Sequence, residues 1–338
     1  TVSGTNISFG TAVVYENANA QYNSLAFDSN SNKVVIAYKD IGNSSYGTAI
    51  VGTVSGTGIS FGSPVVFESA ATSFISATFD SNSNKVVIAY SDAGNSNYGT
   101  AIIGTVSGTG ISFGSPVVFE SAYSTVLVST FDSNSNKVVI AYKDNGNSSY
   151  GTAVVGTVSG TSISFGTAVV FQNVDVGWLS TTFDSSSNQV IISYRDNTVG
   201  NGTLVVGTVS GTSISFDTPL VFNAATTYFT AAAFDSNSNK TVIAYRNSGN
   251  SHYGTAVVFQ TESTNLTAEN YIGIASNGYG DTKTATINVK GFIDDNQSGL
   301  TAGQSYYVQT NGDLGLTAAD PSVFAGTAVS ATKLIVKG

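Results

Sequence analysis

The chain of 338 residues contains no cysteine and no methionine, one tryptophan, one histidine and four prolines. Without cysteine there are no disulfides and no thiolate metal centres. One histidine, His252, cannot head an imidazole cluster or a catalytic triad with visible partners. Charge is sparse too: 10% of residues are charged, with 12 basic against 21 acidic and a formal net charge of -9. No basic surface is available to release counterions from nucleic acid or to hold an anionic membrane. No apolar run approaches the roughly 20 residues needed to span a bilayer, so membrane insertion is not expected. Thr1 is read as a processed terminus or as the start of the observed part of a longer chain.

What is present is repetition. Phe27-Asp28-Ser29-Asn30-Ser31-Asn32-Lys33 returns almost unchanged from Phe79, Phe131, Phe183 and Phe234, and Thr-Val-Ser-Gly-Thr recurs at Thr1, Thr53, Thr105, Thr157 and Thr208. The spacing of the second motif is 52, 52, 52 and 51 residues. Each unit carries four strand-like runs, in the first case residues 22–28, 33–40, 46–55 and 58–68, separated by Gly, Ser, Asn and Asp turns. Four antiparallel strands in about 50 residues predict a propeller blade. The chain opens with a fourth strand, at about 5–16, and the fifth unit stops after its third, at about 253–260. The expectation is therefore an all-β, five-bladed propeller over 1–260, closed by pairing of the N-terminal strand with the last blade. Middle strands sandwiched by neighbouring blades account for unbroken apolar runs such as Val138 to Tyr142. Beyond about Thr261 the period is lost, and 261–338 reads as a small β module with few means of burying a core alone.

In a propeller the fourth-to-first and second-to-third connections share one face, the usual binding surface. The fourth-to-first connection is where the units differ most, and Tyr123, Asp175 and Tyr228 stand out there with Trp178 just behind. Aromatic faces beside carboxylates and amides suit sugar recognition. The plainer reading makes Trp178 a core residue, in a column with Tyr22, Phe74, Val126 and Phe229, and treats Tyr123 and Tyr228 as loop drift. Lys39, Lys143, Arg195 and Arg246 precede the Asp-x-Gly-Asn-Ser loops or their variants, with Ser91 the exception. They predict either a ring of base–acid sockets for polar or acidic glycans or ordinary surface pairs.

Asp28-x-Asn30-x-Asn32 has the spacing of the first half of a calcium loop, yet Lys33 replaces the glycine and no glutamate follows at the twelfth position. It reads as a hairpin turn stabilised by Asp, and no metal or cofactor is expected. Catalysis has little support, because only Asp175 and Asp217 break the repeated acid columns.

On these residues the array resembles propeller repeats encoded in marine phage and other environmental viral genomes, and its five-unit closure resembles five-bladed tachylectin-type lectins. The last segment carries Asn265-Leu266-Thr267, Gly299-Leu300-Thr301 and Gly326-Thr327-Ala328, each leading into a strand-like run. It resembles a small β module at the ends of phage tail-fibre and virion-surface proteins. These resemblances imply a non-enzymatic virion-surface or fibre protein that presents a host glycan- or receptor-binding face and docks to other virion proteins through 261–338, with homo-oligomerisation open. A secreted or cell-surface bacterial adhesin or coat protein is the alternative, and a carbohydrate-active hydrolase is a third, on fold analogy alone.

Overall fold

The computed structural model describes residues 2–3, 6–261, 273–276, 286–309, 313–318 and 323–337. The chain divides into two compact units, Thr1–Gln260 and Thr261–Gly338. It is an all-β protein of antiparallel strands, consistent with a propeller-type fold.

In the first unit a short hairpin, Val2–Ser3 paired with Asn6–Ile7, precedes five successive antiparallel sheets. In each sheet, an Asp-Ser-Asn-Ser-Asn turn, or Asp-Ser-Ser-Ser-Asn in the fourth, closes a hairpin, as between Ala20–Asp28 and Lys33–Asp40, where Asp28 faces Lys33. Asn32 takes a φ of 53° in that turn, a left-handed conformation that asparagine tolerates well. The third strand, Tyr46–Ser55, pairs along the far side of Lys33–Asp40. The outer edge has two pieces. Gly58–Phe61 pairs with one half of the third strand, and the chain from Val65 pairs with the other. At the kink between them, a Cβ on Gly62 would lie 1.9 Å from the Thr109 carbonyl oxygen of the next sheet's hairpin, so no larger residue fits.

The fourth and first strands were predicted as separate elements joined by a variable loop. They are instead single 16-residue strands: Val65–Asp80, Val117–Asp132, Val169–Asp184 and Leu220–Asp235. Each begins on the edge of one sheet and ends paired with the second strand of the next. The variable segments contain Ser, Ala, Thr, Val and Tyr but no proline, so bulged ladder hydrogen bonds satisfy the backbone where a loop would leave it to water.

The core lies between neighbouring sheets. Val35, Ala37, Ala49 and Val51 of the first pack on Ile88, Tyr90 and Ile102 of the second, and the pattern repeats around the array. Strand Lys137–Asp144 is covered on both faces, which explains its unbroken apolar run, Val138 to Tyr142. The fifth sheet differs: Ile243 is fully buried while its neighbour Val242 is 37% exposed, so only one face is covered.

The predicted pairing of the N-terminal strand with that last sheet is not among the described ladders. Strand Tyr253–Phe259 pairs along Lys240–Asn247 and stands next to Ala20–Asp28 in the order of the closed sheet series, and residues 8–19 form no strand. Tyr15 nevertheless packs on Tyr38 and Phe61 at 5.3 and 5.9 Å. Its counterpart Phe67 packs on Tyr90 and Phe113 at 5.2 and 5.8 Å. The segment thus occupies a fourth-strand position against the first sheet, and among the described residues no ladder joins it to the fifth.

In the second unit, Ile274–Ala275 pairs with Ile287–Asn288. A five-stranded sheet orders Ile293–Asp294, Lys333–Val336, Phe324–Ser330, Ser305–Val308 and Leu314–Gly315. Contrary to expectation, it buries a core of its own, including Leu300, Tyr306, Val323 and Leu334. The predicted strands at 271–274 and 284–289 lie partly outside the described residues, as does the Asn265-Leu266-Thr267 motif. Among the described residues, no helix is long and apolar enough to cross a membrane.

Candidate ligand-binding rim

Every sheet's innermost strand slips register once at the same place. The slips fall between Gln21 and Ser24, Ser73 and Ser76, Thr125 and Val128, Gly177 and Ser180, and Tyr228 and Ala231. Each bulge begins with a residue at positive φ, and none of these is glycine: Tyr22, Phe74, Val126, Trp178 and Phe229, all between 51° and 54°. Bulky side chains held in this region cost on the order of 1–3 kcal/mol each and persist only where the surroundings enforce them. Serines help to enforce them. Ser24, Ser76 and Ser180 each accept, through Oγ, a hydrogen bond of 2.9 Å from the backbone of the next unit's strand, at Ala77, Ser129 and Ala232. The Thr230 hydroxyl likewise donates to the Trp178 carbonyl.

The bulge side chains of neighbouring units consequently meet. Tyr22 and Phe74 have ring centroids 5.2 Å apart, and Trp178 and Phe229 4.2 Å apart. Trp178 is 38% exposed and Phe229 54%. The core reading of Trp178 is thereby corrected, as it is for the exposed Tyr22 and Phe229, whereas Phe74 and Val126 still pack against the cores between sheets. Tyr22, Phe74, Val126 and Trp178 border a shared cavity of ≈ 600 Å³, within the range of small-ligand sites. Tyr22, Phe74, Tyr123, Val126, Lys143 and Trp178 line it, with the amides of Asn145 and Asn197.

All eight residues singled out in the sequence join this neighbourhood. Tyr123 and Trp178 line the cavity, and Tyr228 stands edge-on to Trp178 at 6.1 Å. The Lys143 ammonium pairs with Asp175 at 2.6 Å, and Asn197 donates to the same carboxylate oxygen at 3.0 Å. Lys39 lies 5.9 Å from the Tyr22 ring centre. The Arg195 and Arg246 guanidinium groups both lie over Tyr228, at 4.6 and 4.2 Å, and Arg246 is 5.1 Å from Phe229.

The predicted base–acid sockets do not form as a repeated set. The loop acids are taken by their own turns: Asp40 accepts from the Asn43 amide, Asp92 from Gly94, and Asp144 from Gly146 and Asn147. Lys143–Asp175 is the single ion pair found among the described residues. Sequence reasoning missed Tyr22, Phe74 and Phe229 as rim residues. The available signal was a column that stays large and apolar inside an otherwise divergent segment.

Just beneath the rim, Tyr90 donates to Glu68 and Tyr142 to Glu120, at 3.0 and 2.9 Å. Burial pushes both glutamate pKa values up, and the nearby Asp92 and Asp144 charges add to this. On the opposite face, Asp28 Oδ1 accepts from the Asn30 and Ser31 amides and Oδ2 from the Ser31 hydroxyl, and the same set recurs at Asp80, Asp132 and Asp235. Turn closure accounts for the Asp-x-Asn-x-Asn repeat. His252 is exposed in its loop, with Nδ1 3.1 Å from Ser248 Oγ.

No family model and no curated protein matches the chain. Solved structures do. A protein from Lactobacillus plantarum is similar at a TM-score of 0.50 and 13% identity, over 93% of this chain and 87% of that one. A protein of unknown function from Dyadobacter fermentans gives 0.53 and 13%, over 75% and 82%. The SapL1 lectin, solved with alpha methyl fucoside, follows at 0.47 and 13%, over 70% and 76%. At such identities the likeness concerns the fold alone, and the lectin's score is too low to carry an argument about ligands.

Proposed function

We propose that residues 1–260 form a five-bladed propeller, completed by the N-terminal segment, that recognises carbohydrate at the bulge rim without chemically altering it. The observation that carries this reading is the set of five non-glycine residues held at positive φ, with exposed aromatic rings gathered round one cavity. Backbone strain kept in every unit at one rim has a use in presenting side chains, since a glycine there would relieve it. Aromatic rings stack on the apolar faces of sugars, and the amides of Asn145 and Asn197 with Lys143 supply hydroxyl partners. Asp175, already held by Lys143 and Asn197, serves to fix that lysine in this reading rather than to act as a free acid.

The C-terminal unit, with its own core and its resemblance to virion-surface modules, would anchor the propeller to a larger assembly on a phage particle, outward-facing and available to a host glycan. Detection of the chain in purified particles beside capsid or tail proteins tests that placement. Its recovery from a bacterial surface instead would overturn it.

Trp178 is the chain's single tryptophan, so its fluorescence reports directly on the proposed site. Sugars found on a glycan array are expected to shift this emission on titration, and Tyr123→Ala to weaken binding by about tenfold, the loss of one stacking surface. An array without binders, acidic and neutral glycans included, would sink the recognition role.

A further inference from the structure

The rim is not electrically uniform. In each of the first three units two acids outnumber the basic residue: Glu16 and Asp40 accompany Lys39, Glu120 and Asp144 accompany Lys143, and Glu68 and Asp92 stand with Ser91 where the base would be. In the fourth, Gln172 replaces the glutamate beside Asp196, and in the fifth both acids become amides, Asn223 and Asn247. The structural tasks survive the exchange. Asn247 still caps its turn by accepting from the Gly249 amide, as Asp92 does from Gly94, and Asn223 Nδ2 reaches Asn247 Oδ1 at 3.5 Å. Only the negative charge is gone. In the same two units the base is arginine rather than lysine.

Arg195 and Arg246 lie over one ring, Tyr228, which faces Arg246 across the strand pair. No carboxylate pairs with either among the described residues, whereas Lys143 has Asp175. The Nε of each is buried without a hydrogen-bond partner. A guanidinium cannot shed its charge, and its planar fork matches a two-oxygen anion better than an ammonium does. The ring beneath fixes the plane of the fork, and with Gln172, Asn223 and Asn247 in place of acids, Asp196 alone of these columns remains to offset the two arginines.

From this geometry we infer that Arg195 and Arg246, set on Tyr228 beside Trp178 and Phe229, form a subsite for the carboxylate of an acidic sugar. The inference rests on the carbohydrate-recognition reading and specifies its ligand class. The net charge of -9 limits the density of charge on the ligand, because a heavily charged polymer is repelled by the rest of the surface. The ligand is therefore an otherwise neutral glycan with isolated or terminal uronic acid residues.

The test titrates the full chain, followed by Trp178 emission and by calorimetry, with glucuronate- and galacturonate-terminated oligosaccharides. Their methyl esters have the same shape without the charge, and sulfated neutral counterparts form a third arm. At least one free acid is expected to bind about tenfold or more tightly than its ester. The variant R195Q/R246Q, checked for an unchanged melting temperature, is expected to bind acid and ester alike, while R195K/R246K recovers only part of the preference. Equal binding of acid and ester by the native protein would overturn the subsite, and so would a preference that survives R195Q/R246Q. A preference for the sulfated arm, lost in R195Q/R246Q, would reject carboxylate in favour of sulfate. Ester and neutral sugars that bind in a Tyr123-dependent way with no acid preference refute the anion subsite alone. If no glycan of any kind binds, both readings fall.

Discussion

At the scale of single residues, the half-buried glutamates beneath the rim make a pH prediction. Glu68 and Glu120 have pKa values raised above the ordinary 4.5, chiefly by burial, although the tyrosine hydroxyls they accept from act in the opposite direction. Between 4.5 and the higher native value, the folded protein binds more protons than the unfolded chain, so stability rises as pH falls through that window. Urea midpoints measured from pH 7 towards pH 4.5 are expected to show this gain from these two sites, and E68Q/E120Q to flatten it. A pH slope identical in the native protein and E68Q/E120Q would contradict the assignment. The fourth unit offers a natural comparison, since Gln172 stands in the glutamate column and the Tyr194 hydroxyl is buried without a partner.

At the scale of the strand, the bulge is the element that turns a repeated scaffold into a rim. Val126 and Val128 lie two residues apart on one strand and pack on the same cluster, but only Val126 has a positive φ, of 52°. Replacing either with glycine removes similar apolar surface. At Val126 the exchange also releases left-handed strain of about 1–2 kcal/mol. Chemical denaturation is therefore expected to find V126G milder than V128G by about 1 kcal/mol or more, and equal losses would argue against strain at the bulge. This element was also the least legible in the sequence. Hairpin turns, the third strand and the two-sided burial of Val138 to Tyr142 followed directly from turn residues and apolar runs. The bulge did not, because its usual sign is a glycine and the left-handed positions hold Tyr, Phe, Val, Trp and Phe. A large apolar column inside a strand looks like core when each side chain is assumed to alternate. One extra residue reverses the face, and that slip has no marker in composition. Tyr123, Asp175, Trp178 and Tyr228 were legible because they break the repeat, and Lys39, Lys143, Arg195 and Arg246 because they recur in one column, whereas their pairing was not, since the loop acids close their own turns.

At the scale of the whole molecule, the seam between the first and fifth sheets carries a testable consequence. Tyr15 stands where Phe67 does, and Val65 pairs with Ala49 in the intact ladder. The corresponding ladder at the seam would set Val13 opposite Ala256. The chain has no cysteine, so V13C/A256C introduces a single defined pair. Ring closure in solution is expected to give an intramolecular cross-link on oxidation and, by joining residues so distant in sequence, up to about 5 kcal/mol of added stability. Two free thiols persisting under oxidising conditions would show that the N-terminal segment does not complete the ring. The shared 16-residue strands have a further consequence for mechanics. Four of the five sheets have an edge that continues as the first strand of the next, so tension on the rim cannot peel away one of the three middle sheets without dragging on both neighbours. A load applied at a single unit is spread around the array as it is in woven cloth, and the seam is the hem where tearing would start.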